Sequence, residues 1–342
     1  MIVSVVSMPE GVVTRTDLSD ARERLAVSDF LLVDLQLPEE AAPDEQPVTR
    51  GLGLPAEHLS WFGRAGEPVR AEFLGDRAGV VLPVLEGGRV THVHALVTER
   101  HLITVRRGPV ASLDSLMAQL GRERPHDTVA VLFLLLQEAL ATFRRAAVDA
   151  LLRVEDLEDQ MFDRRRPEQV YRLAQLRRRA ALLHRTLLPY LQVTDETLTR
   201  RMLSRSFPEE RQRLAQEFQQ AGRLALTDVE SLQEATRRAF ASYSSLVSGE
   251  QNGVINRLAV VSVIFLPLSF LTGFFGMNFT YLTDELESKD VFWLLAIGLQ
   301  VLVLFVALYV LHRTRLWRRL RDDEGLEDEG GGPAGPAGPA NR

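Results

Sequence analysis

The chain has 342 residues, with 46 acidic and 40 basic side chains, a formal charge of −6 and no cysteine. That balance argues against general nucleic-acid binding, and the lack of thiols excludes a disulfide framework and any thiolate metal site. The positive charge is almost wholly arginine, with Lys289 the one lysine.

The N-terminus, MIVSVVSMPEG, lacks a basic region and a long apolar run, so no signal peptide is expected. Residues 1–120 are predicted to form a mixed α/β domain. Ile2–Val6, Phe30–Leu35, Gly79–Leu85, Val90–Val97 and Leu102–Val105 have strand-like length and β-branched content. Gly87-Gly88 reads as a hairpin turn between two of them. Helical pieces are expected over Leu18–Leu25, Glu57–Phe62 and Ser112–Leu120. His92 and His94 share one side of a strand and have the spacing of two metal ligands. With His101 across a turn and no third ligand near, they read as the solvated face of an amphipathic strand and not as a zinc site.

Residues 121–207 read as a helical hairpin. Asp127 to Asp163 keeps an apolar stripe through Val131, Leu135, Leu136, Ala139 and Leu140 without a glycine or proline. Arg164-Arg165-Arg166-Pro167 ends it, and Pro167 suits the first turn of a second helix running to about Leu188. Acidic Glu155, Asp156, Glu158 and Asp159 lie opposite Arg177-Arg178-Arg179 in such a hairpin, and both sets read as solvated faces. A third tract begins near Pro208. As one helix to Phe275 it would reach about 100 Å at roughly 1.5 Å per residue, too long to bury in one small domain. It divides into a stalk, 208–253, and a membrane segment, 254–275.

That segment, Leu258 to Phe275, holds no charge and is long enough to span a bilayer. Its small and polar members are not scattered: Ser262, Ser269 and Gly273 share one helical face, with Ile255, Leu258 and Leu266 on or beside it and Asn252 one turn below. A polar seam on an apolar helix faces either another helix or a water-filled pore. Pro267 is tolerated there as a kink. A second apolar run spans 291–311, broken only by Gln300 and Tyr309, and is followed by His312, Arg313, Arg315, Arg318, Arg319 and Arg321 with Trp317 among them. The connecting stretch 276–290 carries Asp284, Glu285, Glu287 and Asp290 against Lys289. The arginines therefore place both termini in the cytoplasm and the acidic loop outside. The tail, 312–342, is basic, then acidic, then GGGPAGPAGPA, and reads as disordered.

Gly276-Met277-Asn278 directly after the first apolar helix resembles the signature of the CorA-type divalent-cation transporters. Tyr243, Asn252, Phe265-Leu266-Pro267-Leu268, Thr272-Gly273 and Phe279 match the flanks of that signature, and Val93–Val105 more loosely resembles the last strand pair of the cytoplasmic domain. The fold class expected is α+β: an N-terminal cytoplasmic α/β domain, a long helical stalk and a C-terminal two-helix transmembrane hairpin. Two helices cannot enclose a pore, so the pore requires several copies. The resemblance implies a funnel-shaped homopentamer in the inner, or plasma, membrane, transporting Mg2+, with Co2+ and Ni2+ as further candidate ions. It implies Asn278 as a ring of amide oxygens binding the hydrated ion, below acidic Asp284 and Glu285. Asn252, Ile255, Leu258, Ser262, Leu266, Ser269 and Gly273 would line the pore, the apolar ones as dewetting collars. Relatives sense internal Mg2+ through cytosolic carboxylates, for which Glu217, Asp228 and Glu230 are the candidates. The chain departs from the family at two points. Ala239, Ala241 and Ser242 stand where some relatives carry an acidic ring, leaving Glu250 for that task, and Leu282-Thr283-Asp284-Glu285-Leu286 replaces a common Met-Pro-Glu-Leu. The alternatives are a zinc transporter of the ZntB branch and a non-conducting membrane-anchored sensor. No nucleophile–base pair or phosphate-binding glycine loop suggests an enzyme.

Overall fold

The structure is a computed structural model that describes residues 1–28, 30–39, 51–54, 59, 61–75, 77–202, 208–277, 290 and 292–313. It comprises two compact units, 1–239 and 240–342.

The first unit is a seven-stranded mixed sheet covered on both faces. Its strands are β1 (Ile2–Ser7), β2 (Val12–Thr16), β3 (Leu31–Leu37), β4 (Arg70–Leu74), β5 (Arg77–Glu86), β6 (Arg89–Val97) and β7 (His101–Arg107). They lie in the order β2-β1-β3-β7-β6-β5-β4, and only β3 and β7 pair in parallel, with Leu37 beside Arg107. The five expected strands are all present. The two that periodicity did not reveal, β2 and β4, are the sheet's edges: each is short and largely uncovered, so its sequence carries no apolar run.

Strand alternation sends Val3, Val5, Val33, Leu35, Val81, Leu96, Ile103 and Val105 to one face. There α1 (Leu18–Val27) contributes Ala21, and residues 52–62 contribute Leu52, Leu59, Trp61 and Phe62. Asp17 caps α1 by accepting from the Asp20 N–H at 2.8 Å. The expected helix over Glu57–Phe62 is corrected in its described part. Leu59–Arg64 makes tight turns, with Phe62 N–H donating to Leu59 and Arg64 N–H to Trp61. These turns seat the two aromatic rings on the sheet, a burial that outweighs continued helix.

The opposite face receives α2 (Ala111–Glu123), α3 (Thr128–Asp163) and α4 (Pro167–Met202). Asp127 caps α3, its carboxylate 2.7 Å from the Ala130 N–H. The second hairpin helix does not stop near Leu188 but runs through Pro189 to Met202. Proline removes one backbone bond, yet Leu187, Tyr190 and Thr194 on the neighbouring turns are buried, and Tyr190 donates to the Leu136 carbonyl at 3.2 Å. Tertiary packing therefore carries the helix across its breaker.

Glu209–Phe275 is one helix, α5. Its part in the first unit buries Ala215, Phe218, Gly222, Ala225, Val229, Leu232, Thr236 and Ala239 at helical spacing. A Cβ on Gly222 would stand 2.6 Å from the Leu191 Cδ2, so a larger residue there would force the Leu191 side chain to shift. In the second unit no described residue of α5 is buried. The unit also holds a π-helical stretch, Phe292–Gly298, continuing into α6 (Leu299–Arg313). Among the described residues α5 is the one helix long and apolar enough to cross a membrane, while α6 is apolar but shorter.

Candidate functional site

The seam residues lie on α5 in the second unit. Asn252, Ile255, Leu258, Ser262, Leu266, Ser269 and Gly273 are all exposed, Leu266 by 75%. The half-covered positions of the same stretch, Gly253, Asn256, Val260, Ile264, Pro267, Leu268, Leu271 and Phe275, share one side of the helix. They fall roughly half a turn away from the seam. Gln300 of α6 donates to the Thr272 hydroxyl oxygen at 3.3 Å, between the two sides. The covered side of α6 holds Val303, Leu304, Ala307 and Leu311. Within one chain the seam residues are thus exposed, and the more covered side of the helix is the other one.

The seam's chemistry suits a cation or its water shell. The Ser262 hydroxyl donates to the Leu258 carbonyl at 2.8 Å, which leaves its oxygen lone pairs turned outward as acceptors. A Cβ on Gly273 would meet nothing within 4 Å, so the space left there belongs to the seam and not to packing inside the chain. At the helix end Gly276 N–H donates to the Thr272 carbonyl at 3.0 Å and Met277 N–H to Phe274 at 3.3 Å. A side chain at Gly276 would crowd the Thr272 oxygen at 3.1 Å, which gives the glycine of the motif a local reason. Asn278, Asp284 and Glu285 lie outside the described residues.

The three candidate regulatory carboxylates all sit on α5 within the first unit but do not converge. Glu217 is engaged by Arg213 at 3.0 Å, Asp228 by Arg144 of α3 at 2.9 Å, and Glu230 is exposed. Among the described residues no three His, Asp or Glu side chains are grouped to hold a metal ion. Glu250 is exposed on the helix below Asn252.

The solvated-face reading is corrected for His94, which is a buried core residue because the turn carrying Trp61 and Phe62 covers that side of β6. It stacks on Trp61 with centroids 6.0 Å apart, meets Phe62 edge-on, and accepts the Gly63 N–H on Nδ1 at 3.1 Å. Burial, with His92 and Arg107 adding repulsion, pushes its pKa down to about 4. Burial lowers His92 as well. His101 donates from Nε2 to the Ser28 carbonyl at 2.9 Å, away from both.

Two charged clusters escaped the sequence reading. Asp34 and Arg106 are almost fully buried beside each other, Nε to Oδ2 at 3.0 Å. Thr104 also donates to Asp34 at 2.7 Å, and Arg106 reaches Asp114 on α2. Burial raises the Asp34 carboxyl against the pull of Arg106. At the start of α5, Arg211 holds Glu99 at 2.8 Å and Asp127 at 2.9 Å, which raises its own pKa and lowers that of Glu99. The lone charge inside the apolar run of β3, Asp34, was the available signal for the first cluster.

A profile of the family described as CorA-like Mg2+ transporter protein matches residues 28–313. Among characterised relatives, the zinc transport protein ZntB of Yersinia enterocolitica is 24% identical over 259 residues, 73% of this chain and 78% of that one. The cobalt/magnesium transport protein CorA of Thermotoga maritima is 29% identical over 165 residues, 48% of this chain and 45% of that one. The complete CorA magnesium transporter from Methanocaldococcus jannaschii superposes with a TM-score of 0.72 at 19% identity, covering 91% of this chain and 97% of that one. The full-length CmaX protein gives 0.70 at 20% identity, covering 94% and 97%. These structures share the fold.

Proposed function

We propose that this chain, which belongs to the CorA-like Mg2+ transporter protein family, carries a divalent cation across the inner, or plasma, membrane through a pore formed by several copies. The observation that supports it is the seam: a membrane-length helix turns Asn252, Ser262, Ser269 and Gly273 away from its own chain. A polar stripe left facing lipid would be costly, whereas five copies around an axis would turn it into the wall of an aqueous path. Ser262 and Ser269 would then offer oxygen to the ion's waters. Ile255, Leu258 and Leu266 would form collars that close by dewetting. Both termini lie in the cytoplasm and the second apolar segment returns the chain there, with Asn278 as the outer ring and Asp284 and Glu285 concentrating cations above it.

Magnesium is the ion we assign. It keeps its water shell, and neutral amide oxygens at Asn278 would hold that shell without trapping the ion. A zinc reading has one specific support, the relatives named as zinc transport proteins. Flux of Mg2+, Co2+ and Zn2+ into liposomes carrying the purified protein separates the two. Mg2+ uptake that is lost in Asn278→Ala while the oligomer persists is the expected result. Uptake of zinc alone would transfer the assignment, and no flux of any divalent ion would leave a non-conducting scaffold.

A further inference from the structure

A cavity of about 260 Å³ opens in the first unit where β3 and β7, the parallel neighbours, reach their carboxyl ends. Ligands of open sheets with parallel strands collect at that end. Its walls are Arg107 from β7, Arg89, Thr91, His92 and His94 from β6, and Arg64 from the turn after Trp61. Arg106 also lines it, but Asp34 and Asp114 neutralise that charge. Glu39 is the one acidic side chain among the described lining residues.

Two of the guanidinium groups are not there to close the fold. Arg64 and Arg89 are exposed and have no ion-pair partner among the described residues. Arg107 is held in place, with a terminal nitrogen donating to the Gly63 carbonyl at 3.1 Å. His94 accepts on Nδ1, so its neutral ring carries the proton on Nε2 and is a donor there. The depressed pKa of His94, to which Arg107 contributes after burial, fits a pocket of positive potential. Planar guanidinium forks with imidazole donors form a set that matches the oxygens of a phosphoryl group better than a single carboxylate.

We propose that this cavity binds a soluble phosphorylated anion at least as large as pyrophosphate, held by Arg64, Arg89 and Arg107 with the two histidines as further donors. The site belongs to the first unit and is independent of the transport reading. A phospholipid headgroup has the same chemistry, but a recess sunk at the strand ends suits a molecule that enters whole.

The test is isothermal titration of the purified full chain with inorganic pyrophosphate, without divalent ions because pyrophosphate chelates them. Saturable binding that weakens with added salt is expected, with Arg64→Ala/Arg89→Ala weakening it roughly tenfold or more. An Arg145→Ala/Arg153→Ala control, which alters arginines outside the cavity, should bind as the wild type does. Both lining arginines are exposed, so circular dichroism should be unchanged. Arg64→Gln and Arg89→Gln singly serve if the double variant is unstable, each being expected to weaken binding. No binding up to millimolar pyrophosphate, or equal binding by the lining variants, overturns the proposal. So does capture by phosphatidic-acid vesicles without any pyrophosphate binding.

Discussion

Replacing Arg106 by methionine isolates one buried carboxylate, and the structure sets the size of the effect. Asp34 is 1% exposed and Arg106 3%. The substitution removes the two guanidinium contacts to Asp34 at 3.0 Å and leaves it the Thr104 hydroxyl. Asp114 is half exposed and can turn to water, so the loss concentrates on Asp34. Breaking one side of a buried pair costs about 3–5 kcal/mol. Protonation limits that cost. From an ordinary carboxyl pKa of 3.8, neutralising the group at pH 7 costs at most about 4 kcal/mol, and at pH 5 at most about 1.5 kcal/mol. The sign follows. The folded pKa of Asp34, already raised by burial, rises further without the arginine. Stability is therefore retained at low pH and lost as pH increases towards that folded value. Urea unfolding of the unit 1–239 should show a destabilisation by Arg106→Met that is larger at pH 7 than at pH 5 by about 2 kcal/mol. Converting the pair together, Arg106→Met with Asp34→Leu, should recover most of the loss. A penalty below about 1 kcal/mol at pH 7, or one that does not change with pH, would refute the argument.

His94 predicts the opposite pH trend. Its folded pKa of about 4 lies below the ordinary 6.5, so its contribution is complete above pH 6.5 and lost as pH falls, by about 2 kcal/mol at pH 5. His94→Gln, which keeps an acceptor for the Gly63 N–H, should flatten that acid limb in thermal melts. In α5, the proposed pore helix, Ser262→Leu puts an apolar branch where a hydroxyl oxygen faces outward; ion uptake should fall with the oligomer unchanged on gel filtration. Unaltered uptake would remove Ser262 from the path. For topology, Glu155→Cys places a single thiol at an exposed position of α3 in this cysteine-free chain. An impermeant maleimide should label it only after the cells are opened, and labelling of intact cells would reverse the orientation.

The sequence by itself determined whatever is local and repetitive. The apolar span to Phe275, the seam from Asn252 to Gly273 and the unbroken run from Thr128 to Asp163 follow from helical period and from breakers, which neighbours along the chain decide. The central strands were legible for the same reason, being buried on both faces and continuously apolar. The edges β2 and β4 were not, because half-exposed strands have no such run. Only tertiary structure decided that α4 passes through Pro189, since the burial of Tyr190 against α3 comes from residues far away in the chain. It also decided that Asp34, Arg106 and Asp114 meet, and that His94 is a ring in the core. The parallel pairing of β3 with β7 joins residues some seventy positions apart. Which side of α5 is covered was likewise invisible in the sequence: periodicity groups residues into faces, but only packing says which face a neighbouring helix takes.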